Sequence, residues 1–416
     1  MRFYSVYKFI FLVCKPLLKY ILNYRVKKGK EDPNRYIEKM GIPSKQRPAG
    51  KIIWIHAVSV GESVSTLSLI NQLEKNGYTV LLTTSTLSSA KLMEKRLPET
   101  VIHQYYPYDV NKWVKRFVAH WQPEIAIMIE SELWFNMLEE LKRNNIKVLL
   151  FNARMSQRTI KRWLFIPFIA KELFSYCSYI STQTHYYKNI IQRFAKCKVE
   201  TFGNLKNTAP PLPFDNNQLD LLKQDIGNRN MWVAVSTHKQ DESFIEPILG
   251  RIYNNHKNLL TIIIPRHPER LDELLTKFKD YKISIRSRRE KIKQDTQIYI
   301  VDTIGEVGLF LSLTNICFVG GSCGGGYGGH NPLEPAKLNN AIIQGFDTSN
   351  FAEITMQLSN NNGHIIVNDS EELYTNLNNL ISDKKLVKKY SDNAHKVISL
   401  QNTVIEKLVA KVEEYI

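Results

Sequence analysis

Cysteine is scarce and scattered. The 416 residues contain five, Cys14, Cys177, Cys197, Cys317 and Cys323, with no CxxC pair and no His/Cys grouping at metal-ligand spacing. That pattern excludes a disulfide-stapled secreted scaffold and a structural zinc module, and it sets the expectation of a cytosolic, reduced and metal-free chain; no cofactor is expected. Low-complexity tracts and repeat periods are missing too, which excludes a disordered chain and a solenoid. Acidic residues are nearly missing from the opening: residues 1–50 carry three against twelve Lys and Arg, a local +9 within a total of +16. A nucleic-acid binder spreads its basic residues over a folded domain, whereas here they flank and interrupt an apolar segment. Anionic lipid is therefore the expected partner, nucleic acid is not, and nothing implies an obligate protein partner.

That apolar segment, residues 3–22, lacks the uninterrupted run of a spanning helix. At about 100° per residue Lys8, Lys15 and Lys19 fall in a narrow arc, leaving the other faces to Phe9, Ile10, Phe11, Leu12, Leu17, Leu18 and Ile21. A lysine near the centre of a span costs roughly 2.5 to 3.5 kcal/mol. Residues 1–30 are accordingly read as a membrane-anchoring segment lying in the interface, with a short span as the alternative that length permits. No small-residue cleavage site follows, which argues against a signal peptide. The basic run Arg25, Lys27, Lys28 and Lys30 suits the cytoplasmic face.

What is present is ordinary globular material, 43% hydrophobic and 23% charged, in a chain too long for one core. Short β-branched runs alternate with helix-period segments, the pattern of parallel strands joined by crossover helices. Strands are predicted at 52–57, 79–84, 101–105, 125–129, 148–151, 179–182 and 199–202. After a polar, Pro-rich stretch they resume at 232–236, 260–264, 282–285, 298–301, 316–319, 341–344 and 364–367. The fold class is α/β, with two Rossmann-like doubly wound domains, at 31–206 and 231–416, joined by a linker at 207–230. Ligands bind outside the carboxyl ends of such strands, so a cleft faced by both sets of strand ends is expected.

The densest signal follows the strand at 316–319. Seven of the nineteen glycines lie in residues 320–336, which read GGSCGGGYGGHNPLEPA. Glycines let backbone N–H groups approach an anion, and a helix beginning near Asn331, with Pro332 in its first turn, aims its positive end at it. Gly321 and Ser322 are candidate contacts, and Glu334 suits ribose hydroxyls; the alternative is a flexible surface loop. Arg266 and His267, in PRHPER after the strand at 260–264, suit a phosphate or base, or else form a solvated turn. Gly305, Glu306 and Val307 follow another strand, and Ser236 stands in the Ser-Thr-His that closes a further one.

The first domain carries different chemistry. HAVSVGE at 56–62 closes its first strand, with Ser59 and Gly61 in a tight turn and Glu62 at a helix start. Glu62 is either a general base for an attacking hydroxyl or a carboxylate placed by the helix dipole. Glu132, in ESELW at 130–134, sets a second carboxylate at the same rim. Arg154, in NARMS at 152–156, and Lys206, in GNLK at 203–206, either hold an acidic substrate and stabilise developing charge or serve as salt-bridge partners.

In these six ordered motifs the chain closely resembles the lipid A Kdo transferases, which move 3-deoxy-D-manno-octulosonic acid (Kdo) from its CMP-activated form to a lipid A precursor, lipid IVA. The resemblance covers nearly the whole chain. It implies an inverting glycosyltransferase of GT-B architecture that works without metal in lipopolysaccharide synthesis, on the cytoplasmic face of the Gram-negative inner membrane. It further implies Glu62 as proton acceptor and Glu132 and Lys206 as transition-state stabilisers. The CMP contacts it implies are Pro265, Arg266, His267, Gly305, Glu306, Val307, Asn331, Pro332, Leu333 and Glu334. Two departures from the family pattern stand at Lys239-Gln240 and Asn207-Thr208. A UDP-sugar transferase of the same fold and a non-catalytic nucleotide-sugar sensor are the competing readings.

Overall fold

The structure, a computed structural model, describes residues 2–416. All fourteen predicted strands are present, with ends shifted by at most two residues. The first seven are β1 (Ile52–His56), β2 (Thr79–Thr84), β3 (Ile102–Tyr105), β4 (Ile125–Ile129), β5 (Lys147–Ala153), β6 (Cys177–Thr182) and β7 (Lys198–Thr201), in the spatial order β3-β2-β1-β4-β5-β6-β7. The second set is β8 (Asn230–Thr237), β9 (Leu259–Pro265), β10 (Ile283–Ile285), β11 (Ile298–Ile300), β12 (Ile316–Val319), β13 (Ala341–Gly345) and β14 (Ile365–Val367), ordered β10-β11-β9-β8-β12-β13-β14. Every pairing is parallel. Each sheet is covered on both faces, which is why its central strands are continuous apolar runs rather than alternating ones. The strand order reverses between β1 and β4 in one sheet and between β8 and β12 in the other, and these are the points where doubly wound sheets open a crevice.

Two units result, Met1–Pro210 with Gln401–Ile416, and Pro211–Leu400. This corrects the expected boundaries at both ends of the second domain. The final helix, Lys384–Tyr415, begins in the second unit, but Val404, Ile405, Leu408, Val409 and Val412 form a stripe buried with Leu69, Ile70 and Leu73 in the first unit's core. The expected linker at 207–230 is shorter, because Leu219, Leu222 and Ile226 of the helix Asn216–Ile226 belong to the second unit's core.

The opening segment is two helices, Arg2–Val13 and Lys15–Lys27, not one. Pro16 has no N–H to bond back and interrupts the ladder. Tyr7 donates to Asp109 Oδ2 at 2.8 Å and stacks edge-on against Phe135, and Leu22 is fully buried, so one side of the pair packs on the first unit. The side turned to solvent is the apolar one: Val6, Phe9, Ile10, Leu12, Val13, Leu17, Tyr20, Ile21 and Tyr24 are all exposed. Among the described residues no helix is long and apolar enough to cross a membrane.

Candidate active site

In the first unit the site forms at the β1/β4 switch point. Ser59 caps the helix Val60–Lys75, accepting the Glu62 N–H at 3.3 Å and donating its hydroxyl to Glu62 Oε1 at 2.8 Å, while the Val58 N–H donates to Oε2 at 2.9 Å. These bonds, the Ser59 cap and the Val58 N–H, fix the carboxylate over the end of β1. Each of its oxygens keeps a further lone pair. Lys206 arrives from the opposite edge of the sheet: the Leu205 N–H donates to Asn152 Oδ1 at 2.9 Å, and Leu205 is buried in the core. The lysine stem then passes over the helix start, where a Cβ on Gly61 would lie 4.0 Å from Lys206 Cε. Its Nζ reaches Glu130 Oε1 at 2.8 Å, and Glu130 Oε2 accepts the Arg154 Nε–H at 2.7 Å.

Glu130 is thus the central carboxylate of this rim, a role its place in the ESELW motif did not reveal. Its side chain is 8% exposed and neutralised by two cations. Lys206 and Arg154 are accordingly held in place by an ion pair, as the salt-bridge reading of both allowed. Glu132, two residues on, has its carboxyl raised above the usual range by burial and by the nearby charges of Glu62 and Glu130, against the Trp134 Nε1–H it accepts at 2.9 Å. Glu62, Glu130, Glu132 and Lys206 therefore share one rim, where Lys206 and Arg154 offset the acids. Glu130 and Asn152 both take left-handed backbone, φ 62° and 58°, a conformation that costs a non-glycine residue about 1–3 kcal/mol and concentrates at functional sites.

In the second unit the predicted nucleotide residues come from four neighbouring strands, β11, β9, β8 and β12. Arg266 and His267 are exposed just beyond β9, and the Arg266 N–H donates to the Thr237 carbonyl at 3.0 Å. Beyond β8, Ser236 has φ 55°, and its carbonyl lies so close to Gly320 that a Cβ there would sit 2.5 Å away. His238 stacks on Tyr327 at 3.7 Å, with its Nε2 3.0 Å from His330 Nε2. Burial lowers His330 to about 4 and lowers His238 as well, so the pair is held neutral. Asn331 Oδ1 accepts the Leu333 N–H at 3.1 Å just ahead of a short helix, Leu333–Ala336, which starts two residues later than expected, with Pro332 as its cap and Glu334 on its first turn.

Three of the predicted contacts sit differently. Glu306 accepts three hydrogen bonds from Arg286, at 2.6, 3.1 and 3.1 Å, and one from Thr303, so its carboxylate is already engaged. Gly321 and Ser322 give their N–H groups to the buried Asp241 carboxylate, and Ser322 is itself 0% exposed, so these two amides are spoken for. Ile304, 88% exposed, stands beside Gly305 as an apolar surface at the same rim. Among the described residues no three His, Cys, Asp or Glu side chains gather as a metal site would require.

Residues 34–209 match the family model described as 3-Deoxy-D-manno-octulosonic-acid transferase (kdotransferase). A Rickettsia bellii protein named 3-deoxy-D-manno-octulosonic acid transferase is 32% identical over 428 residues, covering 100% of this chain and 99% of the relative. A Haemophilus influenzae protein of the same name is 30% identical over 422 residues, covering 99% and 98%. The crystal structure of UDP-GlcNAc 2-epimerase from Neisseria meningitidis bound to UDP-GlcNAc is similar with a TM-score of 0.57 at 13% identity, over 87% of this chain and 100% of that one, a likeness of fold alone. Since the Rickettsia bellii relative matches from end to end, through the carboxylate–lysine rim of one unit and the glycine-rich rim of the other, the chain belongs to the family of 3-deoxy-D-manno-octulosonic acid transferases, which are glycosyltransferases.

Proposed function

We propose that this enzyme transfers Kdo from CMP-Kdo to the hydroxyl of a lipid A precursor, lipid IVA, at the cytoplasmic face of the inner membrane of a Gram-negative bacterium, with inversion. The observation that carries the reading is the grouping of Glu62, Glu132 and Lys206 at one strand-end rim. The acceptor hydroxyl attacks the anomeric carbon of Kdo, the bond from that carbon to the CMP phosphate oxygen breaks, and CMP leaves with the electron pair. The hydroxyl proton passes to Glu62, which Ser59 and the Val58 N–H hold open-faced. Lys206, anchored by Glu130, offsets negative charge that grows as the phosphate departs, and Glu132 shares that environment. On the second unit Arg266, His267 and the backbone at Pro265, Gly305, Val307, Asn331, Pro332 and Leu333 would hold the nucleotide, with Glu334 toward the ribose.

A lipid acceptor calls for membrane contact. The outward apolar face of the first two helices supports that reading. So does a second feature, the turn between the helices Gln157–Phe165 and Pro167–Phe174, where Leu164, Phe165 and Phe168 are exposed with Arg158, Lys161, Arg162 and Lys171 nearby. Apolar side chains ringed by cations suit an anionic bilayer surface.

The test is a transfer assay in detergent with CMP-Kdo and tetra-acylated lipid A precursor, with product mass counting the sugars added. Wild type should form product and folded Glu62→Ala should lose about a hundred-fold or more in kcat. Absence of product from wild type overturns the donor–acceptor assignment, and a fully active Glu62→Ala overturns the base. Competition by UDP but not CMP would move the donor to the uridine sugars.

A further inference from the structure

The helix Lys239–Asn255 opens with two consecutive acidic residues that are both buried, Asp241 at 0% and Glu242 at 1% exposure. A buried carboxylate is tolerable only when its lone pairs are filled. Asp241 Oδ2 accepts the N–H groups of His238 at 2.8 Å and Gly321 at 2.7 Å; its Oδ1 accepts those of Ser322 at 3.2 Å and Cys323 at 3.1 Å. Amides converging on one anion is the arrangement proteins offer to a bound phosphate, and here the chain supplies the anion itself. Glu242 accepts Arg270 at both oxygens, 3.0 and 2.6 Å, and the Thr237 hydroxyl at 3.0 Å. One helical turn beside β8 thereby ties down the loop after β12 and the segment after β9.

Beyond Cys323 the loop changes character. Gly324, Gly325 and Gly326 all take left-handed backbone, with φ of 97°, 80° and 73°, and their N–H groups meet no acceptor among the described residues. We propose that Asp241 is the positioning residue of the glycine-rich loop, an internal counter-anion that fixes residues 321–323 while Glu242 fixes Arg270, so that the donor's phosphate meets only amides after Cys323. The proposal rests on the reading of this rim as the nucleotide site. It makes the loop a preformed cradle whose anchored half is already saturated.

Residue-resolved hydrogen exchange of the full-length wild type, with and without CMP, tests it directly. Amides 321–323 should exchange slowly in both states, while 324–326 should exchange fast without CMP and slow down with it. In Asp241→Asn one carboxylate oxygen becomes an NH2 that faces backbone donors. Amides 321–323 should then exchange about 100-fold faster, and CMP affinity and the KM for CMP-Kdo should worsen about ten-fold or more, with kcat at saturation within about three-fold. Fast exchange of 321–323 in free wild type, or wild-type CMP affinity in Asp241→Asn, overturns the proposal. Should the variant not fold, the wild-type exchange pattern still decides. Should wild type not bind CMP, the nucleotide reading fails by itself, and protection of 321–323 continues to report the clamp.

Discussion

Lys206 has two jobs in this structure, one electrostatic and structural and one proposed to be catalytic, and a double-mutant cycle separates them. Lys206→Met keeps most of the stem over Gly61 and removes the charge 2.8 Å from Glu130 Oε1. Glu130 then stays buried with Arg154 alone. Lys206 is 37% exposed, so solvent screens the pair, and the loss should be about 1–2 kcal/mol of stability, a fall in Tm of about 2–8 °C for a unit of this size. A cation placed where charge develops is worth more to the rate, about 10²–10³ in kcat. Glu130→Gln removes the carboxylate charge that the lysine neutralises. The double variant Lys206→Met/Glu130→Gln should recover most of the lost stability while its kcat stays as low as that of Lys206→Met. Thermal unfolding and the transfer assay on the same four proteins give both readouts. If the double variant regains the kcat of Glu130→Gln alone, Lys206 serves only to neutralise its neighbour, and its place in the mechanism falls.

Stability should drop on mild acidification. Burial lowers His56 and His103 to about 3 and His364 to about 4, whereas in the unfolded chain all three titrate near 6.5, so the folded state refuses protons that the unfolded state takes up. Their contribution is complete above pH 6.5 and is lost as pH falls toward the folded values, about 2 kcal/mol each by pH 5. Asp109, raised to about 6 by burial, works the other way below pH 6 and returns about 1.4 kcal/mol. Urea midpoints at pH 7.5 and pH 5 should differ accordingly, His56→Gln should flatten the slope, and a pH-independent midpoint refutes the account. At the membrane, Phe165→Ser combined with Phe168→Ser should weaken partition onto vesicles containing anionic phospholipid about ten-fold or more, since each ring loses part of the 1.5–3 kcal/mol that full burial provides. Unchanged partition in a sedimentation assay would remove that turn from the contact.

The sheets were legible in the sequence because strands buried on both faces leave a signal that needs no tertiary knowledge: β4 is predicted residue for residue. The destination of the last helix was not. Its apolar stripe at Val404, Leu408 and Val412 states that a face is buried, but periodicity does not say in which core. Pro16 carried the break in the opening segment in plain view, outweighed by the apolar residues around it. At the site, the positions of Glu62 and Lys206 at one rim were legible because their motifs sit at strand ends. Glu130 and Asp241 were missed for a common reason: each is made important by backbone and side-chain partners far away in sequence, Lys206 and Arg154 for one, Gly321, Ser322 and Cys323 for the other. An acid in a first helical turn, as Asp241 is, or in the turn after a strand, as Glu130 is, looks like any other until its partners are known.

Glu130, Asn152 and Ser236 have a consequence for how this enzyme varies over generations. All three hold φ between 55° and 62°, where glycine would relax the backbone and shed about 1 kcal/mol or more of stored strain. Drift toward robustness alone would therefore carry these positions to glycine, the cheapest stabilising change open to each. Side chains oppose it at two of them, the carboxylate that grips Lys206 and the amide that seats Leu205, whereas the Ser236 carbonyl facing Gly320 is backbone that glycine would keep. Lineages that abandon the reaction while keeping the scaffold should lose Glu130 and Asn152 first, before any core position changes.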